Sequence, residues 1–131
     1  MPQPDATARA SQTRLQRGLA CEQLAAEYLQ ARGLVVVERN LRCKAGEIDL
    51  VCLDGAVLAL VEVRQRSGVE FGGALASVTW RKRRKIMRTA RFFLRRRAWA
   101  SYPMRFDVLA VQGLPHAGYR IVWIRDAFRA T

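Results

Sequence analysis

Leu15, Leu19, Leu24, Ala25, Tyr28 and Leu29 recur at helical spacing between Ser11 and Gly33. This stretch predicts an amphipathic first helix, with Gly33 where a helix C-terminal glycine belongs. The ten residues before it are polar, carry Pro2 and Pro4 and show no period, so a disordered tail is expected over 1–10 and a single domain over 11–131. After Gly33 the period shortens. Leu34 to Val37 is a short β-branched run that predicts a strand; Asn40 to Ala45 predicts a polar turn; Ile48, Leu50, Val51 and Leu53 predict a second strand. Asp54-Gly55 is a hairpin dipeptide, and Val57 to Val63 beyond it is apolar enough for a central strand buried on both faces.

Gly68, Gly72 and Gly73 then mark a loop. From Trp80 to Arg97 the apolar residues Ile86, Met87, Ala90, Phe93 and Leu94 alternate with cations at helical spacing, which predicts a basic amphipathic helix. Arg105 to Val111 and Tyr119 to Ile124 predict two more strands around a loop from Gly113 to Gly118, with a short helical tail after Arg125. The predicted order is αβββαββ: an α/β domain with a central mixed five-stranded sheet flanked by helices. A chain of 131 residues suits one such domain and one core.

Composition changes this picture through charge. Half the residues are hydrophobic and 26% are charged, as in ordinary folded domains, but 23 Lys and Arg face 11 Asp and Glu, for a formal net charge of +12. Between Glu70 and Asp107 there is no acid, and the second helix carries most of the excess. A polyanion is the partner such a balance selects, the plain alternative being a solvated helix face. Arg81, Lys82, Arg84, Lys85 and Arg88 on that helix, with Arg66 before it, are the expected nucleic-acid contacts, binding phosphates with little regard to sequence. Trp80, Phe92 and Trp99 are candidates to stack on exposed bases, although aromatics at helical spacing also serve the core. Cys21, Cys43 and Cys52 show no metal-ligand spacing, and His116 is the one histidine, so reduced, mostly buried thiols are expected. The N-terminus lacks the apolar core of a signal peptide, and no stretch approaches a membrane span; a cytoplasmic protein with no membrane partner is the expectation.

The few acids are placed suggestively. Glu47 and Asp49 in GEIDL are two apart and share a strand face, and Glu62 in VEVR lies on the next strand. Pairing about Asp54-Gly55 sets Asp49 opposite residues 60 to 62, within contact distance. A carboxylate in a buried strand costs several kcal/mol unless it is paired, hydrogen-bonded or metal-bound. Two carboxylates and a backbone carbonyl suit Mg²⁺, which completes its shell with water and phosphate. Ion pairs with Arg64 or Arg39 are the structural alternative.

These residues also resemble a known group. Asp49 followed by Glu62-Val63-Arg64 is similar to the motif of the PD-(D/E)xK nucleases. More narrowly, GLACEQLAAEYLQARG, GEIDLV, VEVRQR and FGGALASVTWRKRRKI, in that order, resemble the YraN-type uncharacterised family, itself similar to Holliday junction resolvases. The resemblance runs from about Gly18 to Ile124. It implies a restriction-endonuclease-like fold and a Mg²⁺- or Mn²⁺-dependent endonuclease that hydrolyses phosphodiesters in branched, flapped or single-stranded DNA. Asp49, Glu62 and the Val63 carbonyl are then the metal ligands, Glu22 on the first helix is an acid facing the site, and Glu47 and Asp107 match further family positions, where pairing of Glu47 with a nearby Arg and of Asp107 with Arg105 are the structural alternatives. Resolvases act as dimers on two-fold junctions, so a homodimer is implied as well.

One residue departs from the motif, because Arg64 stands where the superfamily has Lys. Arginine stays charged in proteins and cannot serve as a general base, though it can orient water or stabilise charge on phosphate. Lys82 and Arg66 are the candidates to take the lysine's place. A catalytically silent nucleic-acid-binding module on the nuclease fold is the alternative reading.

Overall fold

Val57 to Val63 does form the centre of the protein. In a computed structural model that describes residues 6–66, 78–96, 99–114 and 118–129, the elements are α1 (Ala6–Ala31), β1 (Val35–Cys43), β2 (Gly46–Asp54), β3 (Val57–Arg66), α2 (Trp80–Arg96), β4 (Met104–Leu114) and β5 (Gly118–Phe128). The five strands form one sheet in sequence order. β3 pairs antiparallel with β2 and parallel with β4, and the outer pairs are antiparallel. The result is an α/β fold, αβββαββ, whose mixed sheet is flanked by two helices, consistent with the restriction-endonuclease-like architecture. The crossover from β3 to a parallel β4 carries α2, as parallel pairing requires.

Each helix covers a separate core. Cys21, Ala25, Ala26 and Leu29 of α1 pack on Leu50, Cys52, Ala59, Val61, Leu109 and Val111. Ile86, Ala90 and Phe93 of α2 pack on Ile48, Val51, Leu58, Leu60, Phe106 and Val108. Consecutive residues of β3 thus enter opposite cores, and so an unbroken apolar run is needed there. Gly33, at φ +90°, ends α1, where Leu34 N–H donates to the Leu29 carbonyl at 3.1 Å.

Several boundaries differ from expectation. α1 begins at Ala6, ahead of the expected start at Ser11, because Ala6, Ala8, Arg9 and Ala10 are strong helix formers; residues 1–5 lie outside the described ones. Leu19, read as part of the apolar stripe, is 54% exposed; among the described side chains of α1, Cys21, Leu24, Ala25, Ala26, Tyr28 and Leu29 are those packed in the core. The turn expected at Asn40 to Ala45 is strand as far as Cys43. β1 is a sheet edge, where polar residues such as Glu38, Arg39 and Arg42 continue a strand without entering a core. The helical tail after Arg125 is also strand: β5 reaches Phe128, whose ring stacks on Phe106 at 5.0 Å. Asp126, at φ +52°, carries the chain through a bulge there. The glycine-rich loop at 68–73 falls outside the described residues. Among the described residues, no helix is long and apolar enough to cross a membrane.

Gly113, near the end of β4 and paired with Tyr119 of β5, carries a stability prediction. Gly113 has φ +89°, and a Cβ there would lie 2.5 Å from the Gly118 carbonyl oxygen. Gly113→Ala is therefore expected to cost at least about 1–3 kcal/mol, read as a lower urea midpoint at unchanged m-value. A neutral result would mean that the paired ends of β4 and β5 shift apart at Gly113 and Gly118 without leaving the sheet.

Candidate active site

The β2–β3 ladder runs from Asp54↔Val57 to Leu50↔Val61, which places Asp49 in register with Glu62. At Asp49 the ladder ends. Ile48 packs in the α2-side core and Leu50 in the α1-side core, so the alternation of β2 breaks at the residue between them. The Asp49 carboxylate takes over the missing ladder contact: Val63 N–H donates to its Oδ2 at 2.8 Å. Because a strand residue's N–H and C=O point to the same side, the Val63 carbonyl is directed toward β2 as well.

Glu62 points from β3 toward α2 and is buried, at 6% exposure. Its nearest cation is Lys82 of α2, whose Nζ lies 2.6 Å from Oε1. The Arg64 guanidinium is farther, at 3.8 Å from the same oxygen. Two local features place Lys82. Thr79 caps α2, its Oγ1 accepting from Lys82 N–H at 3.2 Å and its carbonyl from Arg83 N–H at 2.8 Å. Gly46 lets the helix approach the start of β2, since a Cβ there would stand 3.1 Å from Thr89 Oγ1 and 3.3 Å from Lys85 Cβ. Between strand and helix lies a cleft of about 150 Å³ lined by Gly46, Glu47, Asp49, Glu62, Lys82, Lys85 and Ile86.

The electrostatics of the cleft follow from this crowding. Burial, and then the Asp49 charge, push the Glu62 carboxyl up to about 7, against the pull of Lys82 and Arg64. Asp49 is raised by burial too, with the Val63 hydrogen bond acting the other way and Glu47 adding repulsion. Glu22, on α1, is raised by burial first and by Asp49 second. It is held by Asn40, whose side-chain amide, turned with its nitrogen toward α1, donates to both carboxylate oxygens at 3.2 Å. Glu47 is half-exposed and sits 3.4 Å from Arg42, its cross-strand partner. Four acids thus share a small region in which one lysine is the closest neutralising group.

Such a site suits a divalent cation. A buried carboxylate beside a partly buried one, each raising the other's cost of ionising, would be relieved by positive charge between them. Among the described residues, no three His, Cys, Asp or Glu side chains form a ready ligand group. An ion here would rest on Asp49 and Glu62, with the Val63 carbonyl, water and phosphate completing its shell, as Mg²⁺ accepts.

The remaining candidates divide. Arg81, Arg84, Lys85 and Arg88 line one groove on α2 together with Trp80, and Lys85 also borders the acidic cleft. The side chain of Arg66 lies outside the described residues. Arg39, named as a neutralising partner for the acids, instead donates to Gln23 Oε1 at 2.7 Å. Trp99 packs edge-on against Tyr102 at 5.1 Å, against the α2-side core; Phe93 is buried in that core, whereas Phe92 is 42% exposed. Asp107 lies in another part of the sheet. It is fully buried and accepts from Arg105 Nε and Nη2 at 2.9 and 3.0 Å, from Trp123 Nε1 at 3.0 Å and from Asp126 N–H at 2.9 Å. That is a structural tie, and no lining residue of the acidic cleft takes part in it. Asn40 was not legible as a site residue. Its one hint is that Asn tolerates the left-handed conformation it adopts, φ +51°.

Comparison with known proteins agrees with the order of motifs. The model of the uncharacterised protein family UPF0102 matches residues 21–111. A UPF0102 protein of Pseudomonas putida strain KT2440 is 49% identical over 122 residues, 92% of this chain and 97% of that one. Those of Pseudomonas syringae pv. syringae and Legionella pneumophila are 45% and 41% identical over 117 and 116 residues, each covering 88% of this chain and 95% and 96% of their own length. The matched stretch contains Glu22, Asp49, Glu62, Lys82 and Asp107, and the chain belongs to the uncharacterised protein family UPF0102.

Proposed function

We propose that this protein is a cytoplasmic, Mg²⁺- or Mn²⁺-dependent endonuclease that hydrolyses phosphodiesters in structured DNA. The observation that carries the reading is the Glu62–Lys82 contact at 2.6 Å, which joins the acid pair to the basic helix. Lys82 brings to Glu62 the amine that the superfamily motif supplies from its last residue, and that Arg64 does not.

The distribution of charge along α2 supports a phosphate-bearing substrate. Its first turn holds Arg81, Lys82 and Arg83 and no acid. Cations at that end oppose the helix dipole, so helix stability does not account for them, whereas a phosphate would be attracted by both the side chains and the positive end of the dipole. Lys85, between the groove and the cleft, would hold the phosphate backbone as it enters. Asp49 and Glu62 would hold the cation, assisted by the Val63 carbonyl. The bound metal would supply Lewis acidity, lowering the pKa of a water and stabilising negative charge on the phosphate. Lys82 is placed to position water and balance charge beside Glu62, and Arg64 to stabilise the charge that develops on the phosphate. Glu22, fixed by Asn40, adds negative charge on the α1 side, where it would favour the cation.

A second reading, a silent nucleic-acid-binding module, is favoured by Arg64 at the motif position and by the lack of a complete ligand trio among the described residues. One experiment separates the two. Purified protein is incubated with labelled four-way junction, flap, single-stranded and duplex DNA in Mg²⁺, Mn²⁺ or EDTA, beside Asp49→Ala and Glu62→Ala. The expected result is cleavage that disappears in EDTA and falls at least about a hundredfold in either variant, while DNA binding holds or tightens through loss of negative charge. Metal-independent cleavage, or cleavage that survives Asp49→Ala, would sink the nuclease reading; binding without any cleavage would establish the silent one.

A further inference from the structure

Trp80 is 66% exposed at the start of the most basic element of the protein. Its indole is not loose. Arg83 lies over one side of the ring, 4.9 Å from its centre, and is itself anchored by Nε donation to the Val78 carbonyl at 3.0 Å. Beside the ring runs a groove of about 350 Å³ whose other lining residues are Arg81, Arg84, Lys85 and Arg88. Among the described residues, no carboxylate lines it. A large aromatic face left in water costs burial energy, and four cations around it repel one another; a ligand that is both flat and polyanionic removes both penalties.

We infer that this groove is a subsite for an unpaired nucleotide, the base stacking on Trp80 and the flanking phosphates lying on Arg84, Lys85 and Arg88. The substrate of the neighbouring cleft is therefore DNA with a single-stranded segment. In a duplex the base faces are covered by their neighbours, so only a strand end, flap or gap offers one to an indole. Lys85 lines both the groove and the acidic cleft, so a strand seated at Trp80 continues directly toward Asp49 and Glu62. An acidic peptide or an anionic lipid surface satisfies the cations but leaves no flat ring for Trp80.

The inference shares with the proposed function its nucleic-acid partner, but its test does not depend on cleavage. Fluorescence anisotropy in EDTA compares two labelled oligomers of equal length, about twelve nucleotides: one oligothymidylate, one with the same backbone and abasic tetrahydrofuran sites. Wild type is expected to bind the thymidylate about tenfold more tightly. Trp80→Ala should erase that preference to within about twofold, Trp80→Phe should keep most of it, and Lys85→Ala should weaken both oligomers alike and make binding less salt-dependent. The inference is overturned if wild type binds both oligomers equally, if it binds neither, or if Trp80→Ala keeps the preference. It is also overturned if anionic vesicles at about 0.15 M salt compete fully for the thymidylate site. A wild type that prefers thymidylate yet cuts nothing in Mg²⁺ would remove the nuclease reading alone.

Discussion

Asp107→Ala is expected to lower the stability of the folded protein by about 3–5 kcal/mol, the usual result of deleting one partner of a buried ion pair. The carboxylate is fully buried and accepts four hydrogen bonds, two from Arg105 and one each from Trp123 and the Asp126 backbone. Truncation removes the acceptor that Arg105, Trp123 and the Asp126 N–H share, and each donor that is not rehydrated costs its desolvation. The loss spreads, because Arg105 also contacts Asp54 at 3.0 Å, and Asp54 holds Arg125 at 2.6 Å. The strain falls on the bulge where Asp126 adopts φ +52° and sends β5 on to Phe128. Urea unfolding measures the cost, and anisotropy below the transition should find DNA affinity within about twofold of wild type. Near-wild-type stability with lost cleavage would instead return Asp107 to the catalytic machinery.

The second large effect concerns which cation serves the acid pair. Lys82→Ala is expected to reduce single-turnover cleavage at least about a hundredfold, in the range of a lost electrostatic or proton-transfer contact. Arg64→Lys is expected to change it less than about tenfold. Lys82 Nζ touches Glu62 at 2.6 Å, whereas Arg64 stands at 3.8 Å. An arginine cannot serve as a general base, so any proton step must use another group. Lys82 is one-third exposed, so its loss should leave the fold intact, and a thermal melt checks that. A hundredfold loss in Arg64→Lys with full activity in Lys82→Ala would reverse the assignment.

Much of this protein was legible in its pattern of residues. Apolar periodicity placed both helices and all five strands, because each element must bury one face or two, and the spacing records which. The register was legible as well: Asp54-Gly55 closes a tight hairpin, and once the turn is set, Asp49 falls opposite Glu62. Boundaries were less so. The edge position of β1 allowed polar residues where a turn was expected, and a bulge with a left-handed Asp126 kept β5 in the sheet where a helix was expected.

The linear chain determined, by itself, the fold class, the excess of positive charge on one helix, and the presence of two acids on adjacent strands. Only the tertiary structure decided which charges meet. It brought Lys82 from α2 onto Glu62 across twenty residues, tied Asn40 to Glu22 across eighteen, and added Trp123 and the Asp126 backbone to the Arg105–Asp107 pair. The physical reason is range: hydrophobic periodicity and turn chemistry act over a few residues, and sequence displays them directly. Contact between charges depends on how layers stack and on ångström-scale spacing, which here rests on the cap at Thr79, the missing side chain at Gly46 and the break in alternation at Asp49.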